Sequence, residues 1–141
     1  MLGLLVVTHG SLAEELVRAT KTIVGPTDAL EGVSIGWDDD VTDAQRRIEQ
    51  SVERLGKGGG VLVLTDMFGG TPTNIALSLL EPGKVEVVTG VNLPMLIKFM
   101  NLREEAALPE VAQRIAEQGK RSIQVASALL ERGGGPEGET L

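Results

Sequence analysis

The sequence has no cysteine and almost no aromatic residues. Its 141 residues include one Trp, two Phe and no Tyr. Without cysteine, the chain has neither a disulfide framework nor a thiolate metal site, which suits a reducing cytoplasm. The lack of aromatic residues excludes the stacking platforms that bind single-stranded nucleic acid. The core must therefore consist mainly of aliphatic side chains.

Positive charge and long apolar runs are also scarce. The 20 acidic residues outnumber the 13 basic ones, for a formal net charge of -7, so nothing favours binding to a phosphate backbone. No apolar run approaches the roughly 18 residues that suggest a membrane span. Met1 leads directly into the first apolar run, with no basic signal-peptide segment before it. We therefore expect a cytoplasmic protein that neither binds nucleic acid nor inserts into a membrane.

The segments that are present predict one α/β domain. Apolar runs typical of strands buried on both faces alternate with segments of helical period. The commonest arrangement for this pattern is an open, doubly wound parallel sheet of strand order 2-1-3-4, with helices on both faces. The predicted strands cover residues 2–8, 30–36, 61–65 and 85–89.

Capping residues predict where the helices begin. Ser11 and Glu14 form a capping box, Thr71 is the predicted N-cap before Pro72, and Asn92 begins a later helix. The first helix is predicted to bury one stripe, consisting of Leu12, Leu16, Ala19 and Ile23.

The C-terminal part departs from this pattern. The segment SIQVAS, at 122–127, alternates polar and apolar residues. It predicts a half-exposed antiparallel edge strand, either within the chain or paired with another subunit. Residues 132–141 are rich in glycine and predict a disordered tail, which leaves residues 1–131 as the domain.

The lone histidine, His9, follows the first strand, and Asp66 follows the third. In open parallel sheets, chemistry takes place beyond the carboxyl ends of the strands, where the strand order reverses. For order 2-1-3-4 that crevice lies between strands one and three, so His9 and Asp66 are expected to face each other. Such a pair would orient the imidazole for proton or phosphoryl chemistry. The alternative is a histidine that only caps a turn, and spacing alone does not separate the two.

The loops after these strands favour an anion. Gly69 and Gly70 allow the backbone to approach a ligand, and the helix that follows directs free amides into the same space. The amides of Gly10 and Ser11 do the same at the first helix. The glycine pair could instead form only a tight turn. Neither loop carries a Walker-type lysine, so a tightly bound nucleotide is disfavoured. A phosphoryl group carried covalently on His9 would need no such lysine.

Three segments together resemble the IIA domain of the mannose class of bacterial phosphoenolpyruvate-dependent sugar phosphotransferase systems (PTS). They are VVTHGSLAEEL, LTDMFGGTPTNIALSLL and VVTGVNLPMLIKFMN, and the resemblance covers about residues 1–126. It implies that His9 accepts a phosphoryl group from the carrier protein HPr and passes it to a IIB domain. It also implies that Asp66 hydrogen-bonds this histidine and that Thr71 supplies a hydroxyl beside it. The family's fifth strand is antiparallel and is exchanged across a homodimer in some members.

The predicted site has three parts. The catalytic residues are His9, Asp66 and Thr71. The residues expected to hold the phosphoryl oxygens are Gly10, Ser11, Gly69, Gly70 and Thr73. The residues expected to contact partner proteins are Trp37, Met67, Phe68 and Phe99, although Phe99 could equally be a core residue. We expect no cofactor and no metal, since the acidic run at 38–40 is typical of a solvated helix start.

The expected partners are HPr, a IIB component or other phosphoryl acceptor, and a second copy of the chain. A IIB domain would lie on a separate polypeptide, and contact with the membrane components IIC and IID would come through such partners. Two alternatives are a regulatory protein whose phosphorylation state is read by a partner, and a phosphotransfer subunit for dihydroxyacetone kinase. Tetrapyrrole metal chelatases also begin with an HGS-like motif, but a single histidine makes a stable divalent site hard to assemble.

Overall fold

Four parallel strands form the sheet of the computed structural model, which describes residues 1–132. They are β1 (Gly3–His9), β2 (Leu30–Ile35), β3 (Val61–Thr65) and β4 (Val85–Thr89). Their order is β2-β1-β3-β4, and each neighbouring pair is parallel. The predicted order 2-1-3-4 is confirmed. The central strands β1 and β3 are almost wholly buried because helices cover both faces of the sheet.

The helices lie in two layers. One layer consists of α1 (Leu12–Val24), α4 (Leu93–Leu102) and α5 (Leu108–Arg121), and it packs on the sheet through alternate residues such as Leu4 and Leu62. The other consists of α2 (Val41–Leu55) and α3 (Thr71–Ser78), which pack on Leu5 and Val63. A 3₁₀ turn, Gly56–Gly58, follows α2, and α6 spans Ala126–Glu131. No helix within residues 1–132 combines the length and apolar content needed to cross a membrane.

The apolar side of α4 faces inward, which corrects the prediction for Phe99. Phe99 is fully buried in the core cluster that α4 shares with α1, α5 and the sheet. It cannot contact a partner protein, because its whole side chain contributes to the core.

The start of α1 is held differently from the predicted capping box. Ser11 is the N-cap, but its side chain makes no capping hydrogen bond. Instead the buried Thr8 hydroxyl, on β1, accepts from the Ala13 N–H at 2.7 Å. The N-cap of α3 is Gly70 rather than Thr71, which is the first helical residue. The predicted cap at Asn92 is confirmed, since its side chain accepts from the Met95 N–H at 3.3 Å.

The buried face of α1 differs in part from the predicted one, although Leu16 packs against the core as expected. Ala13 and Thr20 are the buried residues, whereas Leu12 is 46% and Ile23 57% exposed. The reason lies on β2, where a Cβ added to Gly32 would be 3.0 Å from the Ala13 carbonyl oxygen. The helix lies against bare backbone at this point, so its small side chains face the sheet.

The predicted antiparallel edge strand is absent from the described residues. The α5 helix continues to Arg121, and the Ser122 hydroxyl donates to the Gln118 carbonyl oxygen at its end. Only residues 123–125 lie between the turn at Ser122 and the start of α6, and these are too few to run along the five residues of β4. The prediction is therefore wrong within the single chain. The predicted tail lies, from residue 133 onward, outside the described residues.

Candidate active site

His9 and Asp66 meet at the carboxyl edge of the sheet, as the strand order predicts. The Nδ1 atom of the His9 ring lies 2.8 Å from Oδ2 of Asp66. The same oxygen accepts from the backbone N–H of His9 at 3.0 Å, and Oδ1 accepts from the Met67 N–H at 3.1 Å. The carboxylate is thus held by three N–H groups, and it holds the imidazole in one orientation.

This contact determines which ring nitrogen of His9 is free. A carboxylate only accepts hydrogen bonds, so Nδ1 carries a proton, and in the neutral ring Nε2 is then the nitrogen with the lone pair. Nε2 faces Gly70, since a Cβ placed on that glycine would lie 3.1 Å from it. The His9 side chain retains 21% of its exposure. The ring is therefore partly accessible, and Nε2 is the nitrogen that does not contact Asp66.

The pKa of Asp66 reflects two opposing effects. Partial burial raises the pKa of its carboxyl group, but the hydrogen bonds from the His9 backbone and ring, together with attraction to that ring, outweigh burial. The net result is a pKa below the ordinary value of an aspartate. Asp66 is thus ionised at neutral pH and stabilises positive charge on the ring.

The turn after β3 brings the start of α3 to the histidine. Gly69 and Gly70 both have positive φ angles, of +92° and +87°, in a region that favours glycine. Gly70 touches the imidazole edge, and Thr71 begins α3 directly after it. The free amides and positive dipole end of this helix make its N-terminus favourable for an anion. Asp66, Gly70 and Thr71 are thus placed around His9 by one tight turn.

Thr73 has a different role from the predicted one. Its side chain is fully buried on the inner side of α3. Its hydroxyl donates to the Met67 carbonyl oxygen and lies 2.8 Å from the Thr65 hydroxyl. The hydroxyl is therefore unavailable to phosphoryl oxygens and instead holds the loop that carries Asp66.

The backbone N–H of Gly10 is also occupied by another hydrogen bond. Its N–H donates to the Ile35 carbonyl oxygen at 2.8 Å, which continues the pairing of β1 with β2. It therefore cannot donate to a phosphoryl group. Ser11, the next residue, is exposed at the start of α1, and its hydroxyl makes no capping hydrogen bond.

Exposed apolar side chains border the histidine. Trp37 is 84%, Phe68 76% and Met67 55% exposed. Trp37 also stacks on the His9 ring, with centroids 5.1 Å apart and planes inclined by 25°. The sequence predicted an exposed Trp37 but not this stack. The β1–β2 register could have indicated it, because Ile35 pairs with His9 and Trp37 follows two residues later.

No metal-binding cluster is found among residues 1–132. Within that range, no three His, Cys, Asp or Glu side chains come together in a group that could hold a metal ion. In the acidic run, Asp39 accepts from the Gly36 N–H, and Asp40 caps α2 by accepting from the Thr42 N–H. These two carboxylates thus stabilise a turn and a helix start.

Comparisons with known proteins agree with this geometry. The family described as "PTS system fructose IIA component" matches residues 3–116. The chain is 30% identical over 133 residues to the PTS system fructose-specific EIIA component of Bacillus subtilis (strain 168), covering 94% of this chain and 91% of that protein. It is 30% identical over 134 residues to the mannose-specific EIIAB component of Escherichia coli (strain K12), covering 90% of this chain but 40% of that longer protein.

A solved structure supports the same assignment. The crystal structure of the PTS IIA protein associated with the fucose utilization operon of Streptococcus pneumoniae superimposes with a TM-score of 0.81 at 27% identity. The match covers 91% of this chain and 95% of that one. By sequence and by fold, this chain belongs to the PTS fructose IIA family, the mannose-class IIA domains.

Proposed function

We propose that this chain is a phosphocarrier that receives a phosphoryl group from HPr on Nε2 of His9 and passes it to a IIB component. Family membership supports a phosphotransferase role, and the hydrogen bond between His9 and Asp66 supports Nε2 as the acceptor atom. The 2.8 Å bond between Nδ1 and Asp66 fixes the tautomer and leaves Nε2 as the nucleophile. The acceptor atom, its activation and its access are all present in one chain.

The transfer follows from this tautomer. The lone pair of Nε2 attacks the phosphorus of the donor, and a bond forms between nitrogen and phosphorus. The bond from phosphorus to the donor's leaving atom breaks, and that atom keeps the electron pair. The Nδ1 proton stays in its bond to Asp66, so the ring becomes positively charged beside a carboxylate. Transfer to the IIB component reverses these changes and returns the ring to neutrality.

The protein stabilises this step through positioning and charge. Asp66 neutralises the charge that develops on the ring. The amides at the start of α3, next to Gly70, face the space where phosphoryl oxygens would lie. The Ser11 and Thr71 hydroxyls are the side-chain donors on this rim.

The partner surface consists of Trp37, Met67 and Phe68. These side chains are exposed on the two loops that border His9, and contiguous apolar groups at a polar rim are typical of protein interfaces. Donor and acceptor must each bring a reactive atom to Nε2. We therefore propose that HPr and the IIB component bind this surface in turn, in the cytoplasm.

A second surface supports a homodimer. Ile123, Val125 and Leu130 follow α5 and are 79%, 70% and 73% exposed. Ile123 lies beside β4, the last strand of the sheet in the described residues. An apolar segment next to a strand edge favours pairing with a second copy of the chain. We propose that residues 122–130 pack against the partner subunit.

Phosphorylation by HPr tests the proposed function. The chain would be incubated with phosphoenolpyruvate, Enzyme I and HPr and then examined by intact mass spectrometry. We expect a mass increase of one phosphoryl group that is lost in acid, and none in a His9→Ala variant. An unchanged mass with phosphorylated HPr, or a phosphoryl group retained in the variant, would contradict the proposal.

A further inference from the structure

The stack between Trp37 and His9 is not explained by burial. The indole lies on the imidazole with centroids 5.1 Å apart, yet Trp37 is 84% exposed. A large apolar side chain that remains in water gains little from the hydrophobic effect. Burial therefore does not account for its position over His9.

The turn that carries Trp37 is fixed by one carboxylate. Oδ2 of Asp39 accepts from the Gly36 N–H at 2.7 Å, and the Asp39 N–H donates to the Gly36 carbonyl oxygen at 3.2 Å. Arg47, on α2, places a guanidinium nitrogen 3.6 Å from the same carboxylate oxygen. Trp37 lies between the two residues that this turn joins. The turn thus fixes the backbone on both sides of Trp37, and the indole stacks on His9 in the single chain.

The charge on the His9 ring changes during the proposed transfer. The ring is neutral when Nε2 is free, and it is positive when Nε2 is bonded to phosphorus while Nδ1 keeps its proton. Asp66 compensates this charge in the plane of the ring. An aromatic face carries negative electrostatic potential and attracts a cation placed over it. Trp37 occupies the position from which such attraction acts on the ring.

We propose that Trp37 is a positioning residue that stabilises the phosphorylated, positively charged form of His9. This inference rests on the proposed function and adds a determinant of how long the phosphoryl group is held. In loss of the group to water, a water oxygen forms a bond to phosphorus and releases a proton to solvent. The bond between phosphorus and Nε2 breaks, the electron pair returns to nitrogen, and the ring loses its positive charge. Favouring the cation therefore slows this loss.

Two variants at position 37 distinguish the effect of an aromatic face from the effect of an apolar side chain alone. Trp37→Phe keeps an aromatic face, and Trp37→Leu keeps an apolar side chain without one. Each protein would be phosphorylated with phosphoramidate, a small chemical donor that requires no docking surface. The phosphoryl group remaining on His9 would then be followed in buffer by intact mass spectrometry. We expect loss to be about two- to fivefold faster in Trp37→Leu and within about twofold of the original in Trp37→Phe.

A second measurement tests the stack itself. The chain has one histidine and one tryptophan, so the ring protons of His9 can be assigned directly by NMR. We expect them to shift by the ring current of Trp37, less so in Trp37→Phe, and to lose this shift in Trp37→Leu.

The outcomes distinguish this inference from the function on which it rests. Equal rates of loss in the Leu and Phe variants, failure of phosphoramidate to load His9, or an absent ring-current shift would each overturn the role of Trp37. Loading by phosphoramidate with the expected order of rates, but no loading by HPr, would instead overturn the proposed function and leave the role of Trp37 standing.

Discussion

A single oxygen of Asp66 organises the histidine. Oδ2 accepts from both the backbone and the ring of His9, while Oδ1 accepts from the Met67 N–H. The same side chain therefore orients the nucleophile and fixes the start of the following loop. An asparagine has the same shape but carries one acceptor and one donor group, so it cannot satisfy all three N–H groups.

Asp66→Asn is expected to slow phosphoryl transfer while preserving the fold. If the amide oxygen faces His9, the NH₂ group opposes the Met67 N–H; if it faces Met67, the NH₂ group opposes Nδ1. The first orientation loses the charge, and the second disfavours the reactive tautomer. Loss of a hydrogen bond to a charged group costs about 1.5–3 kcal/mol, or roughly a 10- to 100-fold lower rate. Rapid-quench measurement of transfer from labelled HPr would test this, with circular dichroism as the control for folding. Transfer at the original rate would show that Asp66 has another role.

The lowered pKa of Asp66 predicts how stability depends on pH. Because the folded pKa lies below that of the unfolded chain, the unfolded state takes up a proton first as the pH falls. The contribution of Asp66 is therefore complete above the unfolded value, about 3.9, and is lost as the pH falls through the folded value. Urea denaturation at about pH 6, 4 and 3 should show the free energies of unfolding of the original chain and Asp66→Asn converging in acid. A constant difference between the two proteins would contradict this linkage.

The strands could be predicted from sequence because their signal is local. The clearest two, β1 and β3, are runs of aliphatic residues ended by polar residues, and the strand order followed from the commonest topology. The difference in the buried face of α1 could not be predicted, since it depends on Gly32 meeting Ala13 across a strand. The stack of Trp37 on His9 is likewise a contact between separate loops.

The predicted edge strand was wrong for a different reason, because here a local sequence pattern was misleading. Six residues of alternating polarity can form a strand only where the preceding helix ends before them. Here α5 continues to Arg121, and the Ser122 hydroxyl closes its last turn. Alternation in SIQVAS thus reports which side chains could share a face, but it does not report the pairing of the backbone.

The turn between β3 and α3 offers a matched pair of substitutions. Gly69 and Gly70 have similar positive φ angles, so alanine strains the backbone at either position, at a cost of about 1–3 kcal/mol. A Cβ at Gly69 meets nothing within 4 Å, whereas one at Gly70 would lie 3.0 Å from Cε1 and 3.1 Å from Nε2 of His9. Both variants should unfold at lower urea concentration. Only Gly70→Ala should also obstruct the reactive nitrogen.

Phosphorylation kinetics distinguish the effect of backbone strain from the effect of obstructing Nε2 of His9. We expect Gly70→Ala to accept a phosphoryl group from HPr at least about tenfold more slowly than Gly69→Ala, which corresponds to about 1.4 kcal/mol. Urea denaturation of both variants serves as the control for comparable stability. Equal rates in the two variants would mean that Nε2 does not receive its phosphoryl group from the side of Gly70.

Two surfaces of the molecule have different proposed functions, phosphoryl transfer at one and self-association at the other. The carboxyl edge of the sheet carries His9 and the exposed Trp37 and Phe68, which suits brief contact with successive partners. The segment after α5 presents apolar side chains beside β4, at the edge of the sheet. The proposed dimer contact lies on β4, which β3 separates from β1 and His9. Self-association and phosphoryl transfer can therefore coexist in one assembly.

The proposed dimer predicts a specific effect of charge at Val125. The chain should elute with the mass of two copies in size-exclusion chromatography with light scattering. Val125 is 70% exposed in the single chain, so Val125→Lys should leave the monomer folded but place an unpaired charge in the interface. The dissociation constant should rise at least about tenfold, because burying an unpaired polar or charged group costs more than 1.4 kcal/mol. Ile23→Lys, at a residue 57% exposed on α1, is the matched control and should remain dimeric. A monomeric original chain, or identical behaviour of the two lysine variants, would show that residues 122–130 do not form the interface.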